Sequence, residues 1–307
     1  MLRALLIGLS ENRPVRALAE RSRVGLRMSR RFVAGTTVEE ALAAAAAVNQ
    51  LGMGVSLDNL GENVTNADEA RRSAQIYQRL LREIASRKLQ ANVSVKLTHM
   101  GLDVDEKLAR ELVSGLVAQA GAGNPRNFVR VDMEGSPYTQ RTLELVHELH
   151  RQPGNAGVVG AVIQSYLRRS QQDVEQLLGA GIRIRLCKGA YKESPEIAFQ
   201  KKSEVDASYV KLTRALLKSG IYHGIATHDP RMIAEAITFA RRENIAPDAF
   251  EFQMLYGIRR DLQQSLVREG WRMRVYIPFG TEWYPYLMRR LAERPANLLF
   301  ILKNLFR

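Results

Sequence analysis

Residues 284–293 read YPYLMRRLAE. At helical spacing Tyr286, Arg289, Arg290 and Glu293 stand at i, i+3, i+4 and i+7, so they share one helix face. Guanidinium groups present fork-shaped donor sets. Two adjacent arginines beside a tyrosine and a glutamate therefore make either solvated surface or a clamp for a carboxylate or phosphate. Elsewhere, Lys96, Asp132, Arg185 and Lys188 lie within or at the end of otherwise apolar runs, where charges are seldom buried without pairing or function. KGAY at 188–191 suggests close backbone approach at Gly189, with Lys188 able to meet phosphate. THDP at 227–230 puts Thr227, His228 and backbone donors at a helix start, a natural pyrophosphate site. Two such loops suit a dinucleotide or diphosphate and leave the double arginine for a second, smaller anion. Taken singly, each residue has a structural explanation: Lys96 as a rim lysine, Asp132 as a helix cap, His228 as a polar residue before a helix. No HExxH or His/Asp metal spacing and no nucleophilic serine elbow is visible, so no metal is expected.

The elements that must position these residues repeat in type. Strand candidates are GMGVSLDNL (52–60), ANVSVKLT (91–98), NFVRVDME (127–134), VGAVIQSYL (159–167), IRIRLCKG (182–189), HGIATHD (223–229), AFEFQMLYG (249–257) and RMRVYIPFG (272–280). Helical patterns separate them. NADEARRSAQIYQRLLREIASRK has Asn66 or Asp68 as its cap, DVDEKLARELVSGLVAQAG begins acidic, SQQDVEQLLGAG opens at Ser170, and DPRMIAEAITFARREN starts with Asp-Pro. Eight β-then-α units imply parallel strands and predict an α/β fold, a (βα)8 TIM-type barrel over residues 50–307, closed by a C-terminal helix. Residues 1–49 read as an N-terminal helical arm that includes TTVEEALAAAAAVNQLG. A doubly wound open sheet fits less well, because no G-x-G-x-x-G follows the first strand. In a barrel the site lies at the strand C-termini. There stand Lys96, Asp132, Glu134, Gln164, Arg185, Lys188, Thr227, His228, Gln253 and Tyr276, with the double-arginine helix starting on the same rim.

Bulk properties narrow the partners. The chain has 307 residues, 46% apolar and 25% charged, enough for a sizeable core. The net charge of +13 is spread along the chain and favours anionic partners: nucleic acid, an anionic membrane surface or a polyanionic cofactor. No zinc-finger, RRM or KH pattern supports nucleic acid, which is not expected as a partner. Cys187 is the single cysteine, which suits a reducing compartment. MLRALLIGLSENRPVRALAE makes a poor secretory signal, and Glu11 and Glu20 argue against a transit peptide. No apolar run reaches the length of a bilayer span. The expected location is cytoplasmic, and the charge is compatible with a peripheral place on the inner face of the cell membrane. The tail ANLLFILKNLFR is a short amphipathic segment expected to pack on the body.

The motifs SVKL, VDMEGS, IQSYL, RLCKGAY, ATHD, EFQMLYG, VYIPFG and YLMRRLAE occur in an order that resembles the proline dehydrogenase family, whose members also form a domain of the bifunctional proline utilisation A proteins. The resemblance covers roughly residues 50–295, and the chain looks like a short, single-function bacterial member. It implies a (βα)8 barrel, FAD held noncovalently at the strand C-termini, and oxidation of L-proline to Δ1-pyrroline-5-carboxylate by hydride transfer to flavin N5. It also implies that electrons pass on to a membrane quinone. By the same resemblance Arg289 and Arg290 bind the proline carboxylate, with Lys96 as a third cation. Tyr276, Tyr286 and Leu255 wall the ring pocket, and Glu293 holds the arginines. Asp132 and Arg185 sit closest to the reacting centre, Arg185 near flavin N5, while Gln164 and Met133 touch the isoalloxazine. Lys188, Gly189, Ala190, Thr227 and His228 take the FAD phosphates and neighbouring groups. Lys192 stands where some relatives carry an aromatic residue, a departure at the adenine end. Two other readings compete: a Schiff-base aldolase with Lys96 as nucleophile and Asp132 as acid/base, and a nucleic-acid binding module motivated by net charge alone.

Overall fold

The eight predicted runs become eight parallel strands: β1 (Gly54–Asn59), β2 (Ala91–Val95), β3 (Val129–Val131), β4 (Val159–Gln164), β5 (Arg183–Cys187), β6 (Gly224–Ala226), β7 (Glu251–Leu255) and β8 (Met273–Phe279). Each pairs with the next, and β8 pairs with β1, which closes the barrel as expected. The computed structural model describes residues 29–293 together with Ser22 and Gly25, the side chains of Arg289 and of residues 291–293 excepted. Most of the expected arm over 1–49, and the tail from residue 294 onward, lie outside the described residues.

The strands are shorter than the runs that predicted them. β3 keeps three residues of 127–134 and β6 three of 223–229. In both, the polar C-terminal residues leave the ladder at the rim. Asp132 N still donates to Val95 O at 2.8 Å and Thr227 N to Gln253 O at 3.1 Å.

Helices α1 (Val38–Gln50), α2 (Ala67–Ser86), α3 (Glu106–Ala122), α4 (Ser136–Arg151), α5 (Ser170–Gly179), α6 (Lys202–Lys218), α7 (Pro230–Arg242), α8 (Arg260–Arg268) and α9 (Trp283–Glu293) alternate with the strands. Their starts follow capping chemistry. Asn66, not Asp68, caps α2 by accepting from Glu69 N at 3.0 Å. Asp229 caps α7 ahead of Pro230. Ser170 opens α5 without capping it; its hydroxyl donates to Gln164 O at 2.6 Å instead.

Helix α1 buries Val38, Ala41, Leu42, Ala45 and Val48 in the main core and packs on β1 and β8. It thereby covers the outer face where the barrel closes. Helix α9 packs elsewhere, joining Phe32, Val33, Leu60 and Ile258 through Trp283, Tyr284, Tyr286, Leu287 and Met288. A capping box of Thr37 and Glu40 starts α1. Thr37→Ala is expected to lower unfolding free energy by about 1 kcal/mol, measured by urea denaturation, with catalytic constants unchanged because the exposed Thr37 side chain bonds only within its own capping box.

The two faces of the strands differ in chemistry. Outward residues such as Val55, Leu57, Val93, Val129, Ile184, Phe252 and Val275 are buried against the helices. Alternate positions carry Ser56, Asp58, Ser94, Arg130, Asp132, Arg185, Glu251, Gln253, Arg274 and Tyr276. Interiors of such barrels are usually layers of Val, Ile and Leu. Here the interior is a hydrogen-bonded ionic network.

Candidate active site

Arg185 on β5 organises the floor of the mouth. It is 6% exposed. Its Nη1 donates to Asp132 Oδ1 at 2.8 Å and to Ser94 Oγ at 3.0 Å, and its Nη2 donates to Ser56 Oγ at 3.2 Å. Its Nε donates to Gln253 Oε1 at 2.5 Å. Asp132 accepts two further bonds, from Ser94 Oγ at 2.7 Å and from Tyr276 OH at 2.8 Å. The Tyr276 ring centroid lies 5.0 Å from Arg185 Cζ, in cation–π range. Residues of β1, β2, β5, β7 and β8, with Asp132 just beyond β3, thus meet on one guanidinium. Burial, then the charges of Asp132 and Asp58, push the Tyr276 phenol well above its ordinary range, so it stays a neutral donor.

Lys96, just past β2, faces Asp58 at 3.5 Å and Glu62 at 3.7 Å. Tyr77 OH donates to Asp58 Oδ1 at 3.3 Å. Burial pulls the Lys96 ammonium down, but Asp58, Glu62 and Asp132 outweigh it and hold Lys96 above its ordinary value. Burial raises the Asp58 carboxyl, against the pull of Lys96.

On the rim, Glu134 accepts from Thr98 Oγ1 at 2.6 Å and from Thr98 N at 3.1 Å. Gln164 bridges two loops: its Nε2 donates to Glu134 O at 3.0 Å and its Oε1 accepts from Ala190 N at 3.3 Å. Gly189 has φ 118°, and a Cβ there would lie 2.3 Å from the Tyr166 ring. Only glycine lets the backbone pass so close. His228 Nε2 accepts from Leu255 N at 2.9 Å, which in the neutral ring puts the proton on Nδ1. Thr227 Oγ1 accepts from Asp229 N at 3.0 Å. Leu255 is half-buried beside Tyr276, its register partner.

Two predicted residues already have protein neighbours. Lys188 Nζ donates to Asp206 at 2.5 Å and to Asp229 at 2.9 Å, so a phosphate there shares the ammonium with two carboxylates. Met133 is buried in the main apolar cluster. In α9, Tyr286 is buried, and Arg290 Cζ lies 5.3 Å from its ring centroid. The side chains of Arg289 and Glu293 lie outside the described residues, although both belong to that helix. Among the described residues no helix is long and apolar enough to cross a membrane, and no group of three His, Cys, Asp or Glu side chains forms a metal site.

Sequence reasoning missed Ser56, Asp58, Ser94, Glu62, Tyr77 and Glu251. Four of them carried a signal. Polar residues occupy every second position in VSLD, NVSVK, RVDME, RIR and EFQ, the period of one strand face. Ser56, Asp58, Ser94 and Glu251 follow from it. Glu62 and Tyr77 lie outside the strands and carry no such mark.

A family model described as proline dehydrogenase matches residues 41–303. The chain belongs to the proline dehydrogenase family. It is 38% identical over 309 residues to proline dehydrogenase 1 of Bacillus subtilis, with 100% of both chains covered. It is 36% identical over 314 residues to the proline dehydrogenase of Deinococcus radiodurans, covering 100% of this chain and 98% of that one. The crystal structure of proline utilization A from Bdellovibrio bacteriovorus inactivated by N-propargylglycine superposes with a TM-score of 0.83 at 27% identity. That match covers 95% of this chain and 36% of the other. For a proline dehydrogenase the state of Lys96 is informative. A Schiff-base nucleophile must be a neutral amine, whereas three carboxylates keep this one protonated. The aldolase reading loses its nucleophile.

Proposed function

We propose that this chain oxidises L-proline to Δ1-pyrroline-5-carboxylate in the barrel mouth, with FAD as the hydride acceptor and a membrane quinone as the final one. The observation that carries the reading is the buried Asp132–Arg185–Tyr276 constellation at the floor of a family barrel. A flavin nucleotide suits the mouth because the hydrogen bonds of Arg185 leave one Nη2 hydrogen for a further acceptor. Bound FAD would supply a two-electron acceptor at N5 for the C5 hydrogen of proline.

The chain's own residues do the rest. Arg185 would place fixed positive charge beside the flavin, and Asp132 holds that guanidinium in orientation. Gln164 and Met133 would meet the isoalloxazine, and Ala190, Thr227, His228 and Lys188 would hold the phosphate side. Lys96, Arg289 and Arg290 would orient the proline carboxylate, which fixes the ring against the floor. Tyr276, Tyr286 and Leu255 would wall the ring, and Glu293 would steady the arginines. Membrane contact would be peripheral, drawn by the net charge of +13. A nucleic-acid module has only that charge behind it.

The visible spectrum of purified protein, before and after anaerobic L-proline, tests the reading. The expected result is a flavin spectrum that bleaches on addition of proline. A flavin spectrum indifferent to proline would move the substrate to another imino acid. A colourless protein that FAD cannot reconstitute would sink the proposal.

A further inference from the structure

Beneath Arg185 the interior continues as a line of bonded side chains toward the N-terminal ends of the strands. Gln253 accepts from Arg185 Nε and donates its own Nε2 to Glu251 Oε1 at 2.7 Å. Glu251 also accepts from Arg274 Nε at 2.6 Å and from Tyr222 OH at 2.9 Å. Gln253 and Glu251 are 3% and 4% exposed. Across from the amide stands Gly224, where a Cβ would lie 2.3 Å from Gln253 Nε2. A side chain there would displace the amide.

A glutamine amide turned end for end keeps its shape and exchanges donor for acceptor. Something must decide which end Arg185 meets. Burial pulls the Glu251 carboxyl up, but Arg274 and the bonds from Arg274, Tyr222 and Gln253 outweigh it, so it is ionised and only accepts. It can face only the NH2 end. The carbonyl end is then left for Arg185, whose guanidinium only donates. Reversal would set donor against donor at a buried contact and leave a carboxylate facing an oxygen.

We propose that Glu251 is a positioning residue for the oxidation: acting through Gln253, it sets the rotation of the Arg185 guanidinium and so aims its remaining N–H at the flavin. This rests on the FAD and proline reading given above. Arg185 touches the cofactor in that reading; Glu251 does not.

Glu251→Gln tests the idea, because it keeps the shape and removes the rule that orients the amide. The expected outcome is full FAD content, a proline KM within about threefold of the parent and a kcat lower by about tenfold or more. The flavin midpoint potential supplies the sign. Deleting a buried negative charge would by itself make the flavin easier to reduce and raise the potential. Loss of the Arg185 orientation removes stabilisation of the reduced flavin and lowers it, which is the expected direction. In the double variant Glu251→Gln/Gln253→Glu, a carboxylate at 253 has no donor end to present to Arg185. Both kcat and potential should move back toward the parent. Tyr222→Phe removes one bond to the same carboxylate without touching the amide, so it should cost thermal stability and leave the potential alone. Should Glu251→Gln fail to fold, Gln253→Met removes the acceptor directly and should reproduce the lowered kcat and potential. The proposal falls if the potential rises or stays put in Glu251→Gln, if the double variant is no better than the single, or if Tyr222→Phe shifts the potential equally. A parent protein without flavin, or with flavin that proline does not bleach, would instead overturn the proposed function.

Discussion

Asp132→Ala is expected to lower kcat by about 10²–10³-fold, the range seen when one charge-stabilising group is removed from an active site, with a smaller effect on KM. Asp132 accepts from Ser94, Arg185 and Tyr276 at once, and each donor is buried or half-buried. Truncation leaves the Arg185 cation with its Ser94, Ser56 and Gln253 contacts but no charge partner. It also frees the Tyr276 hydroxyl to turn. Removing one member of a buried pair costs about 3–5 kcal/mol, so thermal melts must accompany the kinetics. Asp132→Asn separates the two effects. It keeps the volume and one acceptor oxygen and should melt closer to the parent, yet still lose most of the turnover because the charge is gone. A wild-type rate in either variant would remove Asp132 from the mechanism.

The second large effect falls on substrate binding. Arg290→Met should raise KM for proline by about 10²–10³-fold, since two charge-assisted hydrogen bonds to a carboxylate contribute about 3–4 kcal/mol and each 1.4 kcal/mol is tenfold. Methionine keeps the length of the stem, and the Tyr286 ring 5.3 Å away keeps a neighbour. FAD content should not change, because the residues proposed to hold it lie on other elements. Arg290→Lys keeps the charge and loses the fork, so its KM should fall between those of the parent and of Arg290→Met. Steady-state kinetics with anaerobic flavin titration would check this. Unchanged saturation by proline would refute the assignment.

Much of the fold was legible because barrel strands announce themselves. Short runs rich in Val, Ile and Phe, separated by capped amphipathic helices, allow few architectures. All eight runs contain a strand. Their excess length was informative too, since Asp132 and Glu134 after β3 and Thr227 and His228 after β6 stand past the last strand residue, at the rim. The sequence is less informative where one residue type serves two purposes. Lys188 after β5 reads as a phosphate ligand, and in the fold it also pairs with two acids, one from α6 and one at the start of α7. Asp206 is 18 residues away in a helix, and nothing in the local pattern points from one to the other.

By itself, then, the sequence determined the closed parallel barrel, the end of it that bears chemistry, and a roster of charged residues at the strand ends. These follow from local rules: side-chain period, caps and the handedness of βαβ units. The tertiary structure decided which members of the roster touch. Ser94 and Arg185 are 91 positions apart and Ser56 and Arg185 are 129 apart, yet they share one guanidinium. The pleat says only that each side chain points inward. Which inward side chains meet across the barrel depends on the register of every ladder between them, and that is a property of the closed sheet.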